Sequence, residues 1–134
     1  MLKKTITYTD YNGIERTEDF RFNLTKAELV DMQLSASGGF TEFVDKIIKA
    51  KDVPTMIKLF KDLVFKSYGE ISDDGKRFIK SKELSEAFSQ TEAYSILYME
   101  LVMDDKAAAD FVKGILPHDL PSGEKVLQLN QPKE

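Results

Sequence analysis

Few residues in this sequence have the chemistry to catalyse anything. His118 is the only histidine, and there is no cysteine. A zinc site would need carboxylates for its other three ligands, a set zinc rarely takes. No serine nucleophile motif stands near His118, which follows Pro117 in a stretch that reads as a solvated tail. The lack of cysteine also excludes thiolate nucleophiles and disulfides, and fits a reducing compartment. Carboxylates are plentiful but poorly paired. Glu18 and Asp19 are neighbours on a strand, so they point to opposite faces. Asp104 and Asp105 open a helix, where the macrodipole favours negative charge. The acidic loop "GEISDDGKRFIKS" fails as a calcium loop. With Gly75 at the sixth position, Ser81 falls where the bidentate glutamate is required. No glycine-rich phosphate motif is present, and Gly38–Gly39 reads as a helix terminator. These residues point to a protein that is not an enzyme and has no cofactor or metal.

The elements that would position any site read as α+β, mostly α: an N-terminal β-hairpin over residues 1–22, then a bundle of about five to six helices. Period-two alternation from Thr5 and the return run "IERTEDFRF" give two strands, with Phe20 and Phe22 on one face. Asn12–Gly13 between them is a hairpin signal. A lone hairpin is marginal in water, so this one must pack on helices or pair with another chain. Thr25 and Glu28 form a capping box for the first helix. Its inward residues are Leu29 and Met32, with Val30 and Leu34 as further candidates. A second helix runs from about Phe40 to Ala50, with Phe43, Val44, Ile47 and Ile48 at helical spacing. The third has Asp52 as N-cap, Pro54 in its first turn and Gly69 as terminator. Phe78–Ile79 forms a short extended piece.

Ser81 caps a short helix carrying Leu84, Ala87 and Phe88. Ser89, with Glu92 three residues on, reads as a second capping box that starts a new helix at Ser89. That helix, "TEAYSILYMELVM", is apolar almost all round, as a helix buried in a bundle or at a subunit contact would be. The last helix has Asp104 or Asp105 as cap and Ala108, Phe111, Val112 and Ile115 inward. Residues 1–117 are read as one globular domain (1–22 hairpin, 23–117 helical), and 118–134 as a flexible C-terminal tail in which Val126, Leu127 and Leu129 offer docking side chains.

The 134 residues suit a single core, and 42% hydrophobic with 31% charged residues is ordinary for a globular protein. A formal charge of -4 argues against nucleic acid, whose binders show a basic footprint. The densest basic group, Lys76, Arg77, Lys80 and Lys82, reads as a solvated loop. No run is long and apolar enough to span a bilayer, so membrane is not a partner. "MLKKTITYTD" does not read as a secretory signal, and a cytoplasmic location is expected. What remains is surface. Two helices carry more apolar area than one small core needs. Phe60, Phe65, Tyr94, Tyr98, Met99 and Met103 are therefore the candidate protein-interaction residues, because aromatics and methionines suit adaptable contacts.

Three segments carry a family resemblance: "LKKTITYTDYNGIERTEDFRFNLTKAEL", "SYGEISDDGKRFIKSKELSEAFSQTEAYSILYMEL" and "AAADFVKGILP". Together they cover most of residues 2 to 117. The sequence resembles the tail assembly chaperones of long-tailed phages and prophages of Gram-positive bacteria. The resemblance implies a small, mostly helical protein of the host bacterial cytoplasm that coats the hydrophobic tape-measure protein and keeps it soluble. It further implies recruitment of the major tail protein, self-association along the client, and departure before the virion matures. Many such genes make a longer product by frameshifting, and the two forms would part after Pro117. The family brings no catalytic residues. The alternative is a structural virion component, such as a head–tail connector or a tail-tube partner.

Overall fold

A computed structural model describes residues 1–31, 49 and 51–117. Strands β1 (Leu2–Thr9) and β2 (Glu15–Phe22) pair antiparallel without a break, from Leu2 opposite Phe22 to Thr9 opposite Glu15. The reversal at Asn12–Gly13 is a three-residue loop. Gly13 N–H donates to Asp10 O (2.9 Å) and Asp10 N–H to Ile14 O (2.8 Å). Within the loop only Gly13 has a positive φ, 83°, as expected of a type I turn closed by a left-handed glycine. Asp10 fixes the loop through its side chain, which accepts from the N–H groups of Asn12 and Ile14 and from Arg16 Nε at 2.6 Å. Arg16, and then the Ile14 N–H, hold the Asp10 carboxyl below its ordinary range.

The hairpin is half of a larger sheet. Strands β3 (Tyr68–Ile71) and β4 (Phe78–Ile79) extend it in the order β1-β2-β3-β4, with every neighbouring pair antiparallel. The expectation of a lone hairpin before five to six helices is corrected: the sheet has four strands, and the described residues hold five helices. The expected helix at Phe40–Ala50 falls almost wholly outside the described residues, as do the inward side chains assigned to Val30, Met32 and Leu34, the Gly38–Gly39 terminator, His118 and the tail 118–134.

The extra strands follow from how helix α2 (Val53–Ser67) ends. Asp52 caps its start as expected, accepting from Thr55 N–H, with Pro54 in the first turn. At the other end Tyr68 goes straight to extended backbone (φ -68°, ψ 141°), and the chain enters β3 with no loop. Gly69 is therefore not a terminator. It is the second residue of β3, and a Cβ there would lie 2.6 Å from Ile79 O and 2.8 Å from the Phe78 ring. Glycine is needed for close approach of β4, not for helix termination.

Helix α1 (Lys26–Asp31) opens on the expected capping box: Glu28 N–H donates to Thr25 Oγ1 (3.1 Å) and Thr25 N–H to Glu28 Oε1 (2.8 Å). Ser81 caps α3 (Lys82–Ser89). The cap assigned to Ser89 is corrected. Ser89 completes the last turn of α3, and its hydroxyl donates back to Glu86 O. Thr91 has the extended backbone an N-cap requires and accepts from Tyr94 N–H, so α4 runs Glu92–Met103. Asp104 caps α5 (Asp105–Ile115) through the N–H groups of Lys106 and Ala107.

One core joins the layers. Ile6 and Phe22 from the sheet, with Leu24 just after it, meet Phe60, Leu63 and Val64 of α2, Phe88 of α3, Leu97 and Leu101 of α4, and Phe111, Val112 and Ile115 of α5. Phe22 is its hub, completely buried, with ring centroids 5.7, 5.8 and 5.4 Å from Tyr68, Phe88 and Phe111. Tyr68 stacks on Phe88 at 4.4 Å. Leu24 N–H donates to Ile115 O, and Asn23 N–H to Ser67 O, so the exit of β2 is tied to the ends of two helices.

Candidate partner-binding surface

Helix α4 is the least balanced element of the fold. Its buried residues are Ala93, Leu97 and Leu101, which form one narrow row. The sequence offered burial in a bundle or at a subunit contact; within the single chain only that row is buried. Ile96 is 43% exposed, Met99 51% and Met103 75%, and their i, i+3, i+7 spacing puts them on one face. The flanks of α4 differ. Glu92, Ile96 and Glu100 form a row on the hairpin side: Tyr11 Oη donates to Glu92 Oε1 at 3.2 Å, and Lys4 Nζ to Glu100 Oε1 at 2.8 Å. Tyr94 and Tyr98 lie on the other flank, against α2.

On that second flank the aromatics form a continuous run. Phe65 meets Tyr94 edge-on at 6.2 Å, Tyr94 stacks on Tyr98 at 5.6 Å, and Tyr98 Oη donates to Ile57 O at 3.1 Å. Burial pushes both phenols above their ordinary pKa. All three rings are half-buried, while Ile57 beside them is exposed. The outer side of α2 adds an open hollow of about 850 Å³, where Pro54, Leu59 and Phe65 supply apolar walls and Lys58 and Lys61 a charged rim.

Of the six candidate residues, five therefore reach the surface, on two separate shoulders: Phe65, Tyr94 and Tyr98 at the α2–α4 junction, Met99 and Met103 on the far side of α4. Phe60 does not. It is completely buried in the core, because it falls on the same helical face as Met56, Leu63 and Val64. Sequence reasoning missed Ile57 and Ile96. The spacing of Ile96 to Met99 and Met103 was the available signal. Lys80 was also misread as part of a solvated loop. It is half-buried and donates to Asn23 O and Glu28 Oε2, both at 2.6 Å. Among the described residues no cluster of three His, Asp or Glu side chains is placed to hold a metal ion, and no helix is long and apolar enough to cross a membrane.

The fold is thus a four-stranded antiparallel sheet layered with helices, bearing exposed apolar helix faces. The chain belongs to the phage tail assembly chaperone family, whose model matches residues 1–133. No curated protein and no solved structure matches it.

Proposed function

We propose that this chain is a non-enzymatic tail assembly chaperone that binds the tape-measure protein in the host cytoplasm and keeps it soluble during tail morphogenesis. Recruitment of the major tail protein is part of the same reading. The observation that carries it is the Phe65–Tyr94–Tyr98 run beside the α2 hollow. An extended helical client presents apolar side chains at i, i+3, i+4 and i+7, and a helix-in-groove contact needs a matching apolar channel with a charged rim. Phe65 joins the aromatic run to the hollow on α2, whose charged rim holds Lys58, Lys61 and Asp62. Stacked tyrosines supply large contact area at small cost in conformational entropy, and their hydroxyls tolerate water before the client arrives.

Co-expression with the tape-measure protein tests this. The expected result is a soluble client that co-purifies with the chain, and loss of that solubility with Ile57→Glu or Tyr98→Ala while the chaperone itself stays folded. A client that remains insoluble and unbound beside the wild-type chain overturns the proposal. Finding the chain as a stoichiometric part of finished particles favours the virion-component alternative.

A further inference from the structure

Helix α2 carries charge opposite in sign to the chain that holds it. The chain has a formal charge of -4, yet Val53–Ser67 contains the lysines Lys58, Lys61 and Lys66 against a single carboxylate, Asp62. Asp62 is already occupied, 3.0 Å from Lys66 Nζ. Lys58 and Lys61 are exposed, and among the described residues neither meets a carboxylate. Asp52, just before the helix, is held in the Thr55 cap. The neighbouring helix α4 supplies no acid to this side. Glu92 and Glu100 are its only carboxylates, and both are held on the hairpin flank, by Tyr11 and Lys4.

The two unpaired ammonium groups stand among apolar side chains. Spaced i, i+4, i+7 and i+11, Pro54, Lys58, Lys61 and Phe65 fall on one outward face of α2. Val53 and Ile57, 50% and 41% exposed, continue it toward Tyr98. The hollow has both lysines and Phe65 in its wall. A purely apolar helix laid here strips water from both ammonium groups and returns nothing for it. A basic helix adds like-charge repulsion. A helix with carboxylates beside its apolar stripe meets both demands, through charge-assisted hydrogen bonds at the rim.

We propose that the segment held at this junction is an acidic amphipathic helix. Its apolar stripe sits in the hollow and against Ile57 and Phe65, and glutamate or aspartate side chains three or four residues apart engage Lys58 and Lys61. The inference rests on the reading of the α2–α4 junction as the client-binding surface and adds the charge of the bound segment to it. The net negative charge of the chain repels acidic surfaces elsewhere, which confines such a contact to this face.

Overlapping fluorescent peptides of the tape-measure protein, titrated with the full chain and followed by anisotropy, test it. Acidic amphipathic peptides bind and basic ones do not, and the Kd rises about fivefold or more between about 50 and 300 mM salt as screening sets in. Lys58→Glu/Lys61→Glu weakens binding about tenfold or more while far-UV circular dichroism keeps the wild-type spectrum. The same peptide with its acids replaced by lysine binds the double variant better than wild type, an exchange of preference that a merely damaged surface does not produce. Should the double reversal fail to fold, Lys58→Gln/Lys61→Gln decides through loss of the salt dependence. Binding indifferent to salt and to both lysines, or a wild-type preference for basic peptides, overturns the charge assignment and leaves client binding standing. If no peptide binds, co-expression decides: a double variant that keeps the whole client soluble overturns the charge assignment, whereas a wild-type chain that fails to do so overturns client binding itself.

Discussion

Lys80 Nζ lies 2.6 Å from Glu28 Oε2 and 2.6 Å from the carbonyl oxygen of Asn23. One ammonium therefore clamps the exit of β4 to the end of β2 and the first turn of α1. The other oxygen of Glu28 accepts the Thr25 N–H, so the carboxylate serves a cap and an ion pair together.

That arrangement predicts an acid-sensitive contact. Burial pushes the Glu28 carboxyl up, but the hydrogen bonds from Lys80 and from Thr25 outweigh it and hold the group below its ordinary value of 4.5. A depressed folded pKa means stability that is present above the ordinary value and lost as pH falls through the folded one. Glu28→Gln is expected to be less stable than wild type at neutral pH, and the gap should narrow as pH drops below 4.5. Urea midpoints for both proteins at neutral and acid pH measure it; a constant gap refutes the linkage.

The two hydroxyls at the α3–α4 corner should behave differently. Thr91→Ala removes the N-cap acceptor of α4 and should cost about 0.5–2 kcal/mol. Ser89→Ala removes only a back-bond to Glu86 O and should stay within about 0.5 kcal/mol of wild type. Equilibrium denaturation of the two variants settles which residue starts the helix.

Gly69→Ala should be among the most damaging single changes. Its methyl would fall 2.6 Å from Ile79 O, and backbone on the facing strand has no rotamer by which to yield. Overpacking of this kind costs about 1–3 kcal/mol or more. Thermal melts should show it, and a helix-capping role for Gly69 would predict a milder loss.

Core and surface should separate cleanly. Phe22→Ala removes the aromatic hub and should cost about 3–5 kcal/mol. Met103→Ser, at a residue 75% exposed, should change the stability of the single chain by no more than about 0.5 kcal/mol. Denaturation at low protein concentration makes the comparison without any contribution from association.

Local signals were legible in the sequence wherever the physics is local. The Thr25–Glu28 box, the Asp52 cap and the inward face of α5 need only neighbouring residues, and each stands as read; of the two caps offered for α5, Asp104 is the one used. What was missed depends on distant partners. β3 is four residues long and β4 two, neither long enough to show a period. Phe78–Ile79 reads as extended in the sequence, but its pairing does not show there, because β3 needs the edge of β2 and β4 needs that of β3. Gly69 looks like a helix stop until Phe78 and Ile79 are placed beside it. Ser89 and Thr91 both precede acidic or amide side chains, and only backbone conformation chooses between them. For the candidate surface, composition found the two apolar helices but not which side of each the core would take. Phe60 and Phe65 are both phenylalanines on α2; one is buried and the other half-exposed.

The hairpin is made first and covered last. Lys4 meets Glu100, and Leu24 N–H meets Ile115 O, so the first strand waits for more than ninety residues of chain before its inner face is sheltered. During synthesis at about 5–20 residues per second, that is a delay of several seconds. Contacts so far apart in sequence also slow closure of the core itself. Through that interval the inner face of β1 lacks α4, the helix that packs against it in the finished fold.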